Sequence, residues 1–193
     1  MDNIPLIING VVGLCVVTVV GAVVVDFLFF QDRNDQKIER KSFVATFTMF
    51  CFFFLFYGIL KTGIGVLMVF NGQIRNAMIV LGFALLVVGA VVNISGRFKL
   101  GRNWSDQAKI YKSQTLVLHG VYGIVRHPLY ASLIWMYFGA SLVYSNWLAF
   151  VANTLIFLPA MFYRAKLEEK MLAQEFPEYK NYQKKVGMFF PRI

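Results

Sequence analysis

The sequence predicts an all-α integral membrane protein, and three observations support that class. Of its 193 residues, 58% are hydrophobic and only 15% are charged. Twenty phenylalanines add apolar surface that a soluble domain of this length could not bury. The charges are gathered in short polar segments between apolar runs, as in loops that connect membrane spans. We therefore expect a single membrane domain over residues 1–193, with about five transmembrane helices.

Three apolar runs predict three N-terminal spans within residues 1–95. In order, they cover about 6–30, 43–60 and 76–95. Each is close to the length that a helix needs to cross the hydrocarbon core, allowing for some tilt. Gly82 and Gly89 in the third run leave room for close contact with another helix.

The second half of the chain predicts a polar loop, a helical hairpin and a C-terminal helix with a tail. The loop, 96–128, is strongly basic. The hairpin, 129–163, contains two apolar runs joined at "SNW", each only about 24 Å long as a helix. Residues 164–193 are amphipathic and mixed in charge, and we expect the end of this tail to pack back on the protein.

The distribution of lysine and arginine predicts the orientation in the membrane. It places 96–128, the C-terminus and 31–42 on the cytoplasmic side, with 61–75 and the N-terminus on the opposite side. The net charge of +9 could also suggest nucleic-acid binding. That interpretation is disfavoured because the charges flank apolar runs and form no basic face interleaved with aromatic residues.

The stretch "RHPLY", at the boundary between loop and hairpin, combines features of a helix start with features of a site. Pro128 suits the first position of a helix, where its missing N–H costs nothing. His127 places a titratable ring at the mouth of the helix bundle. Tyr130 lies on the same helical face and is either an interfacial anchor or an aromatic wall beside a cation.

A second polar cluster begins where the hairpin is predicted to end. Arg164 and Glu168 are four residues apart and share one helical face, as in an ordinary surface ion pair. At the mouth of the bundle, the same pair could bind a ligand carboxylate through Arg164 and an amine through Glu168. We expect Glu169, one residue further on, to face water.

Residues 100–193 resemble the isoprenylcysteine carboxyl methyltransferases and their relatives. The resemblance rests on "NWSDQAKIYKSQTLVLHGVYGIVRHPLY", on the hairpin, and on "RAKLEEKMLAQEFPEYKNYQKKV". It implies that a cytoplasmic pocket, formed by the loop and the C-terminal helix, binds S-adenosylmethionine and releases S-adenosylhomocysteine. The sequence departs from the family pattern at Gln114, where relatives can have histidine, and at Pro177, where glycine is common.

The resemblance also implies roles for individual residues. The implied cofactor contacts are Gln107, Gln114, Thr115, Leu116, Val117, Tyr122, His127, Pro128, Leu129, Tyr130 and Glu168. Arg164 would bind the substrate carboxylate, so that Arg164 and Glu168 are the expected catalytic residues. We expect no metal and no nucleic-acid partner, but a lipophilic substrate that enters from the bilayer between helices.

The substrate is less well defined than the reaction. A carboxylate, such as that of an isoprenylated cysteine, is favoured because Arg164 suits an anion, and a carboxylate needs no general base. Lipid-amine and thiol methyltransferases of the same fold remain alternatives. Two further alternatives are an NADPH-dependent membrane sterol reductase, which shares R-H-P-x-Y, and a non-catalytic membrane scaffold. The sequence does not predict the oligomeric state.

Overall fold

The computed structural model describes residues 4–30, 36–40, 43–68, 71–103, 108–111 and 115–192. The elements are, in order, α1 (Ile4–Phe30), β1 (Gln36–Arg40), α2 (Phe43–Thr62), α3 (Gly72–Leu100), β2 (Ala108–Tyr111), α4 (Pro128–Val143), α5 (Trp147–Ala152), α6 (Leu158–Glu175) and α7 (Tyr179–Lys185). Short 3₁₀ turns cover Gly101–Asn103 and Gly120–Gly123.

Three helical stretches in the described residues are long and apolar enough to cross a membrane: Ile8–Asp26, Gly72–Leu100 and Trp147–Glu175. The apolar stretches in α2 and α4 are shorter, as the sequence predicts for the first arm of the hairpin. Large apolar side chains are exposed along the outer faces of these helices. A helical membrane protein is therefore confirmed, while the total of five spans stays a prediction.

α3 and α4 are in close contact because small residues face each other across the two helices. A Cβ atom built on Gly82 would lie 2.6 Å from the carbonyl oxygen of Gly139, and one on Gly89 would lie 2.5 Å from Met136 Cγ. Neither position has room for a side chain. The expected helix contact at Gly82 and Gly89 is thus confirmed within the chain.

The second arm of the hairpin is longer than the sequence suggests. α5 is followed without a gap by a π-helical turn over Asn153–Phe157 and then by α6. Pro159 has no backbone N–H to donate, and the wide turn just before it accommodates that loss. The predicted boundary at residue 164 therefore falls inside one continuous helix.

Two short strands add a feature that the sequence analysis did not predict. β1 and β2 pair antiparallel, with Glu39 opposite Lys109 and Arg40 opposite Ala108. The segment before α2 and the loop after α3 therefore meet at one end of the bundle. At the other end, the turn after α2 joins the hairpin turn, where Leu67 N donates to Ser145 O over 2.8 Å.

Candidate active site

The loop before α4 is held in place by backbone geometry and by one polar pair. Asn103 Nδ2 donates to Thr115 Oγ1, and Thr115 N donates to Asn103 Oδ1, both over 3.1 Å. Gly120, with φ of +66°, begins the 3₁₀ turn that carries Tyr122. Pro128 is the first residue of α4, and Ala131 N donates to His127 O over 2.9 Å.

The C-terminal tail packs back on the protein, and it does so on this loop. Arg126 N donates to Gly187 O over 2.8 Å, and His127 N donates to Met188 O over 3.1 Å. The hydroxyl of Tyr182 on α7 donates to the carbonyl oxygen of Tyr122. The "RHP" segment is therefore bound on one side by α6 and on another by the tail.

Glu168 on α6 is the centre of a compact polar cluster. Its carboxylate accepts a hydrogen bond from the hydroxyl of Tyr130, and Arg164 Nε donates to it over 3.4 Å. His127 Nδ1 lies 3.6 Å from Glu168 Oε2. The Arg164 guanidinium carbon is also 5.6 Å from the centre of the Tyr130 ring, within the range of a cation–π contact. The two sequence clusters thus form one site.

Glu169 does not face water, which corrects the expectation from the sequence. Its side chain is only 3% exposed, and its carboxylate accepts hydrogen bonds from Arg126 Nε over 2.8 Å and from Gln183 Nε2 over 3.1 Å. The His127 ring nitrogen Nε2 is 3.3 Å away. The face of α6 that carries Glu169 would be solvated in an isolated helix, but the tail folds over it.

His127 lies between the two carboxylates, which determines its protonation. Burial lowers the pKa of His127, but the hydrogen bonds and the negative charges of Glu168 and Glu169 outweigh this effect. The pKa is therefore raised above its ordinary value. The imidazole is stabilised as a cation between Glu168, which lines the cavity, and Glu169, which contacts Gln183.

A second arginine and its acidic partner lie on the α1–α3 side of the site. Arg97 is ion-paired with Asp26 of α1, and Arg97 Nε donates to Asn93 Oδ1 over 2.8 Å. Asn93 in turn donates to Ser132 Oγ of α4 over 2.8 Å. All four residues are largely buried. This chain of polar groups connects α1, α3 and α4 next to the loop.

Tyr122 is within electrostatic reach of both polar clusters. Burial raises the pKa of Tyr122 well above its ordinary range, and the charge of Glu168 raises it further. The positive charge of Arg97 acts in the opposite direction. The phenol is therefore neutral at physiological pH.

A cavity of about 940 Å³ connects these groups with the interior of the bundle. Its polar end is lined by Arg97, Thr115, Tyr122, Arg126, His127, Tyr130, Arg164 and Glu168. Mainly apolar side chains of α1, α2 and α4 line the rest of the cavity, together with Asn9 and Lys61. α1 packs on α3, whereas α2 packs on the last long helix, so these two walls belong to different parts of the bundle.

Most of the predicted site residues line this one cavity. Thr115, Leu116, Val117, Tyr122, His127, Pro128, Leu129, Tyr130, Arg164 and Glu168 do so. Gln107 and Gln114 lie outside the described residues. The sequence analysis missed the roles of Glu169, Gln183 and the Asp26–Arg97 pair. A charge within an apolar run, as at Asp26, was the available signal for that pair.

No group of three or more histidine, cysteine, aspartate or glutamate side chains that could hold a metal ion is found among the residues the structure describes. Each acidic side chain of the site contacts a cation instead. Glu168 contacts Arg164 and His127, Glu169 contacts Arg126, and Asp26 contacts Arg97.

Comparison with known proteins agrees with this geometry. The family model described as phospholipid methyltransferase matches residues 77–179, more than half of the chain. A probable protein-S-isoprenylcysteine O-methyltransferase of Oryza sativa subsp. indica is 32% identical over 115 residues, which are 58% of this chain and 60% of that protein. The Saccharomyces cerevisiae protein-S-isoprenylcysteine O-methyltransferase is 32% identical over 117 residues, 59% of this chain and 49% of that protein.

A solved structure extends the similarity to the fold. The eukaryotic intramembrane Ras methyltransferase, isoprenylcysteine carboxyl methyltransferase, aligns with a TM-score of 0.56 at 24% identity. The alignment covers 81% of this chain and 55% of that chain. It shows that the arrangement of membrane helices is shared.

The fold and the matched residues define an integral membrane protein of methyltransferase type. The chain belongs to the phospholipid methyltransferase family. Its resemblance to the isoprenylcysteine methyltransferases is confirmed. The chain spans about half to three-fifths of the length of these curated relatives. Membership in the family implies a methyl donor.

Proposed function

We propose that the protein transfers a methyl group from S-adenosylmethionine to the carboxylate of a lipophilic substrate, such as an isoprenylated cysteine. The observation that carries this proposal is the pairing of Arg164 with Glu168 at the polar end of a largely apolar cavity. The pair presents a cation and an anion from adjacent turns of α6. The rest of the cavity offers space for a hydrocarbon tail.

Glu168, Tyr122 and Tyr130 fit the chemistry of the methyl donor. S-adenosylmethionine carries a sulfonium and an ammonium, which suit a carboxylate and the faces of aromatic rings. Both tyrosines line the cavity, as does Glu168, whose side chain is 23% exposed. The predicted contacts Thr115, Leu116 and Val117 would provide backbone groups on the loop side. When bound, the sulfonium supplies an activated methyl group.

Arg164 would orient the substrate. A carboxylate is ionised at neutral pH, so its oxygen can attack the methyl carbon without a general base. The bound donor would supply the methyl group, and Arg164 would hold the carboxylate oxygen that accepts it. The work of the protein is alignment at about 3–3.5 Å and exclusion of water. The Arg164 fork, held by Glu168 and the Tyr130 ring, provides that alignment.

The two substrates would reach the cavity by different routes. The lipid tail would enter from the bilayer between α1 and α2, whose side chains both line the cavity. The soluble cofactor would enter from the side that carries β1, β2 and the C-terminal tail. By the distribution of basic residues, this side is the cytoplasmic one, with the N-terminus opposite.

The calorimetric binding of S-adenosylhomocysteine to the detergent-purified protein tests the reaction class. We expect binding that Glu168→Ala weakens, with no binding of NADPH. Binding of NADPH alone would support a reductase, and binding of neither would support a scaffold.

Arg164→Ala should reduce turnover far more than cofactor affinity. Equal losses in both quantities would contradict the division of roles between Arg164 and Glu168.

A further inference from the structure

More arginine side chains line the polar end of the cavity than the proposed reaction assigns a role. Three guanidinium groups line it, those of Arg97, Arg126 and Arg164. Among the residues that the structure describes, Glu168 is the only acidic one in the same lining. Two carboxylates would be present in the complex of enzyme, cofactor and substrate. One belongs to the substrate and the other to the amino-acid end of the cofactor, so two cationic positions are needed.

Arg126 is the least suitable of the three. Its Nε donates to Glu169 over 2.8 Å, and its Nη1 donates to the backbone carbonyls of Gln183 and Val186. These contacts fasten the tail, and an anion would have to displace them. Arg164, which we assign to the substrate, is on α6. This leaves Arg97 on α3 for the second anion.

Arg97 has the features of a fixed anion-binding group. Asp26 and Asn93 engage its Nη1 and Nε, and its side chain is 11% exposed. Among the described residues, no hydrogen-bond partner is found for its remaining nitrogen, Nη2. Asp26 is buried and is not among the residues that line the cavity, whereas Arg97 is. A fork held in this way loses little freedom when it binds a carboxylate.

We propose that Arg97, positioned by Asp26 and Asn93, binds the carboxylate of the cofactor's amino-acid moiety. This inference rests on the proposed function, because it needs the same cofactor in the same cavity. Glu168 then binds the ammonium end, Arg97 binds the carboxylate end, and Arg164 is left for the substrate. The cofactor carboxylate is then bound from α3 and the substrate carboxylate from α6.

The test compares two ligands that differ only in that carboxylate. Calorimetry would measure the binding of S-adenosylhomocysteine and of its decarboxylated analogue, S-adenosyl-3-thiopropylamine, to the purified protein. We expect Arg97→Gln to weaken the binding of S-adenosylhomocysteine about tenfold or more, since a hydrogen-bonded charge is lost. The affinity for the analogue should be unchanged. Wild-type protein should bind the analogue more weakly than S-adenosylhomocysteine by a similar factor.

Arg164→Gln is the matched control, because it removes the other guanidinium from the same cavity. It should leave the ratio of the two affinities as in the wild type. Arg97→Lys keeps the positive charge but loses the two-nitrogen guanidinium geometry. It should therefore weaken the binding of S-adenosylhomocysteine selectively, but by less than Arg97→Gln. This variant, together with the wild-type comparison, keeps the test decisive if Arg97→Gln does not fold.

Three results would overturn the assignment. Equal weakening of both ligands by Arg97→Gln would make Arg97 a packing residue, and unchanged binding of S-adenosylhomocysteine would remove it from the site. If Arg164→Gln selectively weakened the binding of S-adenosylhomocysteine, Arg164 would be the residue that binds the cofactor carboxylate, and Arg97 would be left for the substrate. Failure of the wild-type protein to bind S-adenosylhomocysteine at all is a distinct outcome, which would overturn the proposed function and this inference with it.

Discussion

Glu168 and Glu169 are consecutive on α6, yet they act on different parts of the protein. Glu168 lines the cavity and contacts Tyr130 and Arg164. Glu169 is buried beneath the tail and contacts Arg126 and Gln183. His127 touches both, so a single imidazole connects the ligand-facing carboxylate to the structural one.

The pairing of Arg126 with Glu169 should contribute far more to stability than the pairing of Lys166 with the same carboxylate. Arg126→Gln leaves Glu169 buried and short of a cation, which should lower the free energy of unfolding by about 3 kcal/mol. The matched control is Lys166→Gln. Lys166 lies 3.7 Å from the same carboxylate but is 55% exposed, so the loss should be below about 0.5 kcal/mol. If the two variants lowered the unfolding temperature in detergent by similar amounts, this account would be contradicted.

The protonation of His127 should make stability depend on pH. Because its folded-state pKa is raised, the stabilisation is complete below the unfolded-state pKa of about 6.5. It is lost as the pH rises through the higher folded-state value. The unfolding temperature of the wild type should therefore fall over this range, and His127→Asn should flatten the profile. An unchanged pH profile in His127→Asn would contradict the assignment.

For individual side chains, the sequence could predict those contacts that local spacing along a helix produces. Arg164 and Glu168 share a face because they are four residues apart, and Tyr130 follows His127 by three. The burial of Glu169 could not be predicted in this way. It depends on a tail that returns to α6 from more than ten residues further along the chain.

The helices are arranged around the tight contact between α3 and α4. Gly82 and Gly139 lie against each other, and Gly89 lies against Met136. Close approach of these helices brings Asn93 within hydrogen-bonding distance of Ser132. The helix contact and the polar chain that ends at Arg97 are therefore parts of one arrangement.

Alanine at two helical glycines should have effects of opposite sign. At Gly82, the added Cβ would lie 2.6 Å from both Gly139 O and Val143 Cγ2, so Gly82→Ala should destabilise the protein by about 1–3 kcal/mol. At Gly58 in α2, nothing lies within 4 Å of the added atom. Gly58→Ala should stabilise by up to about 1 kcal/mol through helix propensity. A neutral Gly82→Ala in the same thermal-unfolding assay would show that the contact is not tight.

The elements themselves were largely predictable, because apolar runs and turn residues are local signals. The runs at 6–30, 43–60 and 76–95 correspond to α1, α2 and α3, and the hairpin turn lies where "SNW" indicates. The pairing of β1 with β2 was not predictable. It joins polar segments about 70 residues apart that have no alternating pattern of apolar residues.

As a whole, the molecule forms a cavity with a polar end, and a hydrogen bond between Tyr144 and Asn9 lies on the cavity lining away from that end. Tyr144 directly follows α4 and comes fourteen residues after Tyr130, which corresponds to about 21 Å along a helix. At the far end, the Tyr144 hydroxyl donates to Asn9 Oδ1 of α1 over 2.8 Å. Both residues line the cavity, so this bond lies where the tail of a substrate would end.

Shortening the cavity should change which tails are accepted. Ala140 lines it, ten residues or about 15 Å from Tyr130, and is 6% exposed. Ala140→Phe should therefore raise the KM for geranylgeranyl-cysteine substrates more than for geranyl ones. Val91→Phe, on a face of α3 that is 58% exposed, is the control and should leave the ratio unchanged. An equal effect of Ala140→Phe on all tail lengths would place the tail elsewhere.

The most direct test of the central claim is the transfer of a labelled methyl group from S-adenosylmethionine to N-acetyl-farnesylcysteine by the purified protein. The product is then treated with mild base, which hydrolyses methyl esters and leaves N-methyl and S-methyl groups intact. We predict that the label is transferred and then released as methanol, and that Arg164→Ala largely abolishes the transfer. Absence of transfer, or label that resists base, would contradict carboxyl methylation at this site.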